Sequence, residues 1–218
     1  MRFENSLESS PATHLRMDTH DIFATRIWQA RLKAVLPPLE HYAKAIEARR
    51  IAQPEPAGRT NRQGWNSLDM DILDQADFTA IAGAVRRATD LALAEMGCHG
   101  LAFDLQSWIN VHDKGGFNFL HVHEGSYLSG TFYVRVPPGA GGLMFRDPRP
   151  GVIHGALKGA AANGYRDIRL QPEDGLLVLF PCWLEHFVEP HAGEASRMAI
   201  AFNAVQVGQS EVKLRRMR

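Results

Sequence analysis

At 218 residues the chain has the size of one domain able to bury its own core. Its 24 basic and 24 acidic residues cancel, which removes the electrostatic footprint expected of a nucleic-acid binder. Cys98 and Cys182 are too few for a disulfide framework and form no Cys-x-x-Cys pair, a usage that fits a reducing cytoplasm. No apolar run approaches the roughly 18 residues that a membrane span requires.

Met1 to His20 carry Glu4, Glu8, Arg16 and Asp18 without an apolar centre, so they read as a flexible tail rather than a signal peptide. A single domain is expected over 21–218. Ile22–Trp28 reads as a first strand. Pro37-Pro38 opens a helix through Leu39, Tyr42, Ala45 and Ile46, proline being tolerated in a first turn. Gln53–Gly58 breaks that helix, and the polar segment Arg59–Ser67 reads as a loop anchored by Trp65. Asp77–Met96 is the clearest helix, with Phe78, Ile81, Val85, Ala88, Leu91 and Met96 at helical spacing and Gly97 as its stop.

From Leu101 the period changes to two. Strands are expected over Leu101–Val111, Tyr127–Val136, Gly142–Arg146, Tyr165–Leu170, Gly175–Phe180 and Arg197–Val207. Gly/Pro-rich turns separate them, among them a hairpin-type turn at Asp113-Lys-Gly-Gly. Many short strands between such turns predict a mainly β fold with flanking helices. The architecture would be a double-stranded β-helix, or cupin-like jelly roll, with its barrel core at about 101–207.

Histidine placement carries the chemistry. His121 and His123 lie one residue apart, and side chains at i and i+2 share one face of a strand. His186 follows a second strand-then-turn context and can complete a three-histidine metal site. His14, His20, His41, His99 and His154 lack any such context, while His112 and His191 read as lying behind the site or on the surface. Three imidazoles suit zinc with a reactive water, or iron(II) on one face of an octahedron with positions left for a chelating co-substrate and dioxygen. Arg197 favours iron, because an arginine facing a barrel cavity calls for a bidentate carboxylate. Its alternative is an ion pair with Glu185 or Glu189.

The run Trp108-Ile-Asn110-Val, then Gly116, Asn118, His121-Val-His123, Ser129-Gly130-Thr-Phe-Tyr133-Val, His186, Arg197 and Phe202-Asn203 resembles the iron(II)/2-oxoglutarate-dependent dioxygenases. The likeness is to their prolyl-hydroxylase-like branch, and within it to a bacterial group of uncharacterised oxygenases. It covers roughly Trp108 to Asn203. The resemblance implies iron(II) held by His121, His123 and His186, and 2-oxoglutarate as co-substrate gripped by Arg197 and by the Tyr133 hydroxyl. Asn203 and Asn110 would line the co-substrate pocket. The wider superfamily has His-x-Asp or His-x-Glu where this chain has His-x-His. Glu124 offers a carboxylate next door, but its opposite strand parity favours His123 as the ligand.

The implied activity is oxidative hydroxylation of a small molecule or protein side chain, releasing succinate and carbon dioxide. Mobile loops such as Pro148–Asn163 could act as a lid. The competing readings are a three-histidine cupin-type iron dioxygenase that ignores 2-oxoglutarate, a zinc lyase or hydrolase, and a non-catalytic metal-binding barrel. No membrane or nucleic-acid partner is expected. A homodimer could form through a spare strand edge or the 77–96 helix.

Overall fold

The structure is a computed structural model that describes residues 23–151, 154 and 167–208. The tail expected over 1–20 and most of the lid candidate at 148–163 lie outside the described residues. Nine strands and two α-helices follow one another in the described chain: β1 (Trp28–Arg31), α1 (Leu39–Ala52), β2 (Asn61–Asn66), α2 (Thr79–Glu95), β3 (Phe103–His121), β4 (Ser126–Arg135), β5 (Leu143–Arg146), β6 (Asp167–Leu170), β7 (Leu176–Pro181), β8 (His186–Val188) and β9 (Arg197–Gln206).

The strands form one continuous ladder in the order β1-β7-β4-β9-β3-β8-β5-β6, with β2 added alongside β3. One strand turns that ladder into a jelly roll. The first half of β3, Phe103–His112, pairs antiparallel with β9, whereas its second half pairs with β8 through Asn118↔Val188 and His121↔His186. The two halves thus belong to two sheets, β1-β7-β4-β9-β3 and β3-β8-β5-β6. Asp113-Lys-Gly-Gly, expected as a hairpin turn, lies within β3 and forms its bend. Opposite it, β2 steps from Arg62↔Phe117 to Gly64↔His112, leaving residues 113–116 against Gln63 alone. Glycine is required there: Gly115 has φ of 84°, and a Cβ on Gly116 would come within 2.8 Å of the Gln63 carbonyl oxygen and 2.9 Å of that of Asp113.

Strand alternation sorts side chains between two layers. On β9, Met198, Ile200, Phe202 and Ala204 join Leu105, Ile109, Val111, Leu128, Phe132, Leu177 and Leu179 in a core covered by the helices. Arg197, Ala199, Ala201 and Asn203 occupy the opposite face, toward the second sheet. Tyr133, Leu143, Phe145, Val178, Phe180 and Ala199 form the smaller core between the sheets.

Both helices occur where expected, with Tyr42, Ala43 and Ile46 buried on α1 and Ile81, Ala82, Val85, Thr89, Ala92 and Leu93 on α2. Gly97, at φ 85°, ends α2, with the Cys98 N–H bonded to the Leu93 carbonyl. Leu91 does not join the buried stripe and is 62% exposed. Ten residues beyond Ile81 places it roughly 80° around the helix. Met96 is likewise exposed, and Phe78 is buried from a 3₁₀ turn ahead of the helix.

Two segments differ more. The first strand lies at Trp28–Arg31 rather than Ile22–Trp28, and Phe23 is exposed with φ of 57°. Arg59–Ser67 contains a strand rather than a loop, because Trp65 is buried and its indole N–H donates to the Gln53 carbonyl at 2.8 Å. Its residues run buried, exposed, exposed, half-buried, buried, buried across the irregularity at Gln63 rather than alternating, so no period of two shows in its sequence. No described helix is long and apolar enough to cross a membrane.

Candidate metal centre

His121, His123 and His186 come together at one end of the inter-sheet cavity, their ligand atoms all within 4.8 Å of one another. Register places two of them: His121 ends β3 directly opposite His186, the first residue of β8, and their ring centres lie 4.3 Å apart. The third arrives differently from the strand geometry expected. His123 lies beyond the end of β3, where its backbone N–H donates to the Cys182 carbonyl at 2.9 Å. Its ring centre is 4.9 Å from that of His121 and 5.1 Å from that of His186. Glu124 is exposed and is not part of this group.

Each strand histidine is oriented through its inner nitrogen. His121 Nδ1 lies 2.6 Å from the Phe119 carbonyl and His186 Nδ1 lies 2.9 Å from the Leu184 carbonyl. Carbonyls only accept, so Nδ1 carries the proton in both rings and Nε2 keeps its lone pair for a metal. Burial favours the same neutral form. It lowers the His121 pKa, and burial with the neighbouring His121 pushes that of His186 down to about 3. Phe180 packs edge-on to His186 at 4.5 Å, and Trp108 lies 5.7 Å from His123. The guanidinium of Arg59 lies over the Trp108 ring at 5.7 Å.

Away from the histidines the cavity is lined by Thr60, Asn110, His112, Asn118, Thr131, Tyr133 and Arg197, with Ala199 and Ala201 leaving space between the larger groups. Arg197 is 3% exposed, and neither acid considered for it is its partner. Glu189 instead accepts from Arg169 at 2.6 Å and from the Gly142 N–H, while Glu185 is exposed. Arg197 donates through Nη1 to His112 Nδ1 at 2.7 Å, lies 5.0 Å from the Tyr133 ring centre and leaves its Nε unpartnered. Buried polar atoms are ordinarily hydrogen-bonded. Here Arg197 Nε, the Tyr133 hydroxyl, His112 Nε2 and Asn110 Oδ1 are all buried without a partner. Burial raises the Tyr133 pKa, which keeps the hydroxyl a donor. The three donors, Arg197 Nε–H, the Tyr133 hydroxyl and His112 Nε2–H, favour an anion, whereas Asn110 Oδ1 can only accept a hydrogen bond.

Asn203 is placed apart from this group. It shares the inward face of β9, but its Oδ1 accepts from the Ser129 hydroxyl at 2.8 Å, and it is not among the residues lining the cavity. His112 had been read as lying behind the site or on the surface. It is 1% exposed and lines the cavity, and burial with the adjacent Arg197 lowers its pKa to about 3. Parity contained the signal, since Asn110 and His112 share a face of β3. What the sequence lacked was the register that sets His112 opposite Arg197. Thr60 was missed because β2 read as a loop.

The jelly roll thus brings three histidines together at one end of its cavity and buries Arg197 within it, without an acidic partner among the described residues. Residues 106–203 match the family model described as "Putative 2OG-Fe(II) oxygenase". The fold is similar to a prolyl-4-hydroxylase from Pseudomonas putida at a TM-score of 0.59 and 20% identity, covering 84% of this chain and 94% of that one. It also resembles a prolyl hydroxylase from Trichoplax adhaerens, solved with a hypoxia inducible factor degradation-domain peptide, at 0.58 and 13% identity over 86% of each chain. HygX from Streptomyces hygroscopicus, solved with nickel and 2-oxoglutarate bound, matches at 0.55 and 13% identity over 84% of each. None of the curated proteins matches the chain.

Proposed function

We propose that the protein is an iron(II)- and 2-oxoglutarate-dependent dioxygenase that hydroxylates a C–H bond of its primary substrate. The observation that carries this reading is the pairing of the three-histidine group with Arg197, a cation buried in the same cavity without an acidic partner among the described residues. A zinc hydrolase or a cupin-type thiol oxygenase would use that second feature only for a substrate that itself carries an anionic group.

His121, His123 and His186 would hold the metal through their outward nitrogens. Iron(II) there supplies oxidative chemistry with dioxygen and 2-oxoglutarate, giving succinate, carbon dioxide and a hydroxylated product. The chain's own work is positioning. Arg197 and Tyr133 would bind the far carboxylate of the oxo acid, Arg197 by charge and Tyr133 by its hydroxyl, and Asn110 would lie along its length. Ala199 and Ala201 keep the floor open, while Phe180, Val188 and Leu143 restrict water around the metal end. A dianion between the metal and Arg197 offsets charge that three neutral ligands leave uncompensated.

Oxygenases of this kind slowly turn over 2-oxoglutarate without a primary substrate, so succinate release tests the reading directly. Iron-loaded protein is expected to form succinate. His186→Ala and Arg197→Ala, each checked for folding by its thermal transition, are expected to reduce it by about 100-fold or more, as losing a buried charge partner costs roughly 3–5 kcal/mol. Undiminished succinate formation in either variant would contradict the assignment of that residue.

A further inference from the structure

Four unpartnered atoms point to more than an arginine and a tyrosine. A guanidinium can only donate, so the 2.7 Å contact from Arg197 Nη1 makes His112 Nδ1 an acceptor. A neutral imidazole with a lone pair on Nδ1 carries its hydrogen on Nε2. That Nε2–H is buried, makes no well-formed hydrogen bond, has the Asn118 side chain as a neighbour and belongs to a ring lining the cavity. Because His112 faces Arg197 across β3 and β9, and Tyr133, whose hydroxyl neighbours the Arg197 side chain, faces Ala199 across β4 and β9, three donors line the same part of the cavity.

We infer that His112 is a third carboxylate-binding residue of the oxo-acid pocket, donating from Nε2 to the distal carboxylate while its Nδ1 fixes the plane of the Arg197 guanidinium. The inference rests on the proposed use of 2-oxoglutarate. A carboxylate has acceptor sites enough for all three donors. His112 contributes a hydrogen bond without a second positive charge, and through Nδ1 it holds the arginine's fork toward the ligand. It is a binding and positioning residue and touches no reacting atom.

The test compares two ligands on anaerobic iron(II)-loaded protein by calorimetry: 2-oxoglutarate, and 2-oxobutyrate, which has the same oxo-acid head without a distal carboxylate. His112→Phe keeps the ring and removes both nitrogens. It is expected to weaken 2-oxoglutarate by about tenfold or more, the scale of a hydrogen bond to a charged group, and to leave 2-oxobutyrate within about twofold. His112→Asn keeps an acceptor for Arg197 but no donor toward the ligand, and is expected to fall between His112→Phe and wild type. Equal weakening of both acids would show a merely structural role and overturn the inference, as would unchanged 2-oxoglutarate affinity in His112→Phe. Wild-type protein that binds iron but neither acid overturns the proposed function and this inference together.

Discussion

Arg197 and Tyr133 illustrate how burial equips ordinary side chains for the ligand role proposed for them. Removing only the Tyr133 hydroxyl, by Tyr133→Phe, deletes an unpartnered buried group and leaves packing intact. Fold stability should therefore hold or rise slightly while the KM for 2-oxoglutarate rises by about 3- to 10-fold, the scale of one hydrogen bond; steady-state kinetics beside a thermal melt separates the two effects. Much of this site was legible at the residue scale, since His121, His123, His186, Arg197, Tyr133 and Asn110 all meet one cavity. Asn203 shared the right strand face but lies one step past Ala201, where Ser129 takes its amide oxygen. His112 could not be separated from incidental histidines without the register against Arg197.

At the scale of elements, the site depends on the bend in β3. The same strand supplies Asn110 and His112 to one sheet and His121 to the other, so residues 113–116 set the distance between the proposed oxo-acid end and the three histidines. Gly116→Ala would force a Cβ against two backbone oxygens that cannot rotate away. A stability loss of about 1–3 kcal/mol is expected in chemical denaturation, with metal affinity falling by a larger factor than stability alone explains. Unchanged metal affinity would separate the bend from the site. Alternation made β4, β5, β7 and β9 readable. Asp113-Lys-Gly-Gly misled because the same glycine chemistry that reverses a chain in a hairpin also bends a strand within a ladder. His186–Val188 escaped because three residues are too few to show a period.

Across the whole molecule, three neutral histidines are buried or half-buried around one cavity, and all have lowered pKa values. The sign of the resulting pH dependence follows from linkage. A histidine whose folded pKa lies near 3, against an ordinary value near 6.5, binds fewer protons folded than unfolded between those limits. Stability from His112 and His186 is therefore fully present above about pH 6.5 and declines as pH falls toward 3. Metal-free protein should show a thermal midpoint that drops steadily below about pH 6, and His112→Phe should flatten that slope. Divalent metal should raise the midpoint with the logarithm of its concentration over its dissociation constant, and chelator should reverse the gain. The fold class was visible from strand count and turn spacing, whereas the single bent ladder joining the two sheets needed coordinates.

Oxygen consumption by iron(II)-loaded protein, followed with and without 2-oxoglutarate, tests the paired metal and oxo-acid site most directly. The account predicts uptake only when 2-oxoglutarate is present, with succinate formed alongside it. Uptake that proceeds equally without 2-oxoglutarate, or iron-bound protein that never consumes the oxo acid, would contradict it.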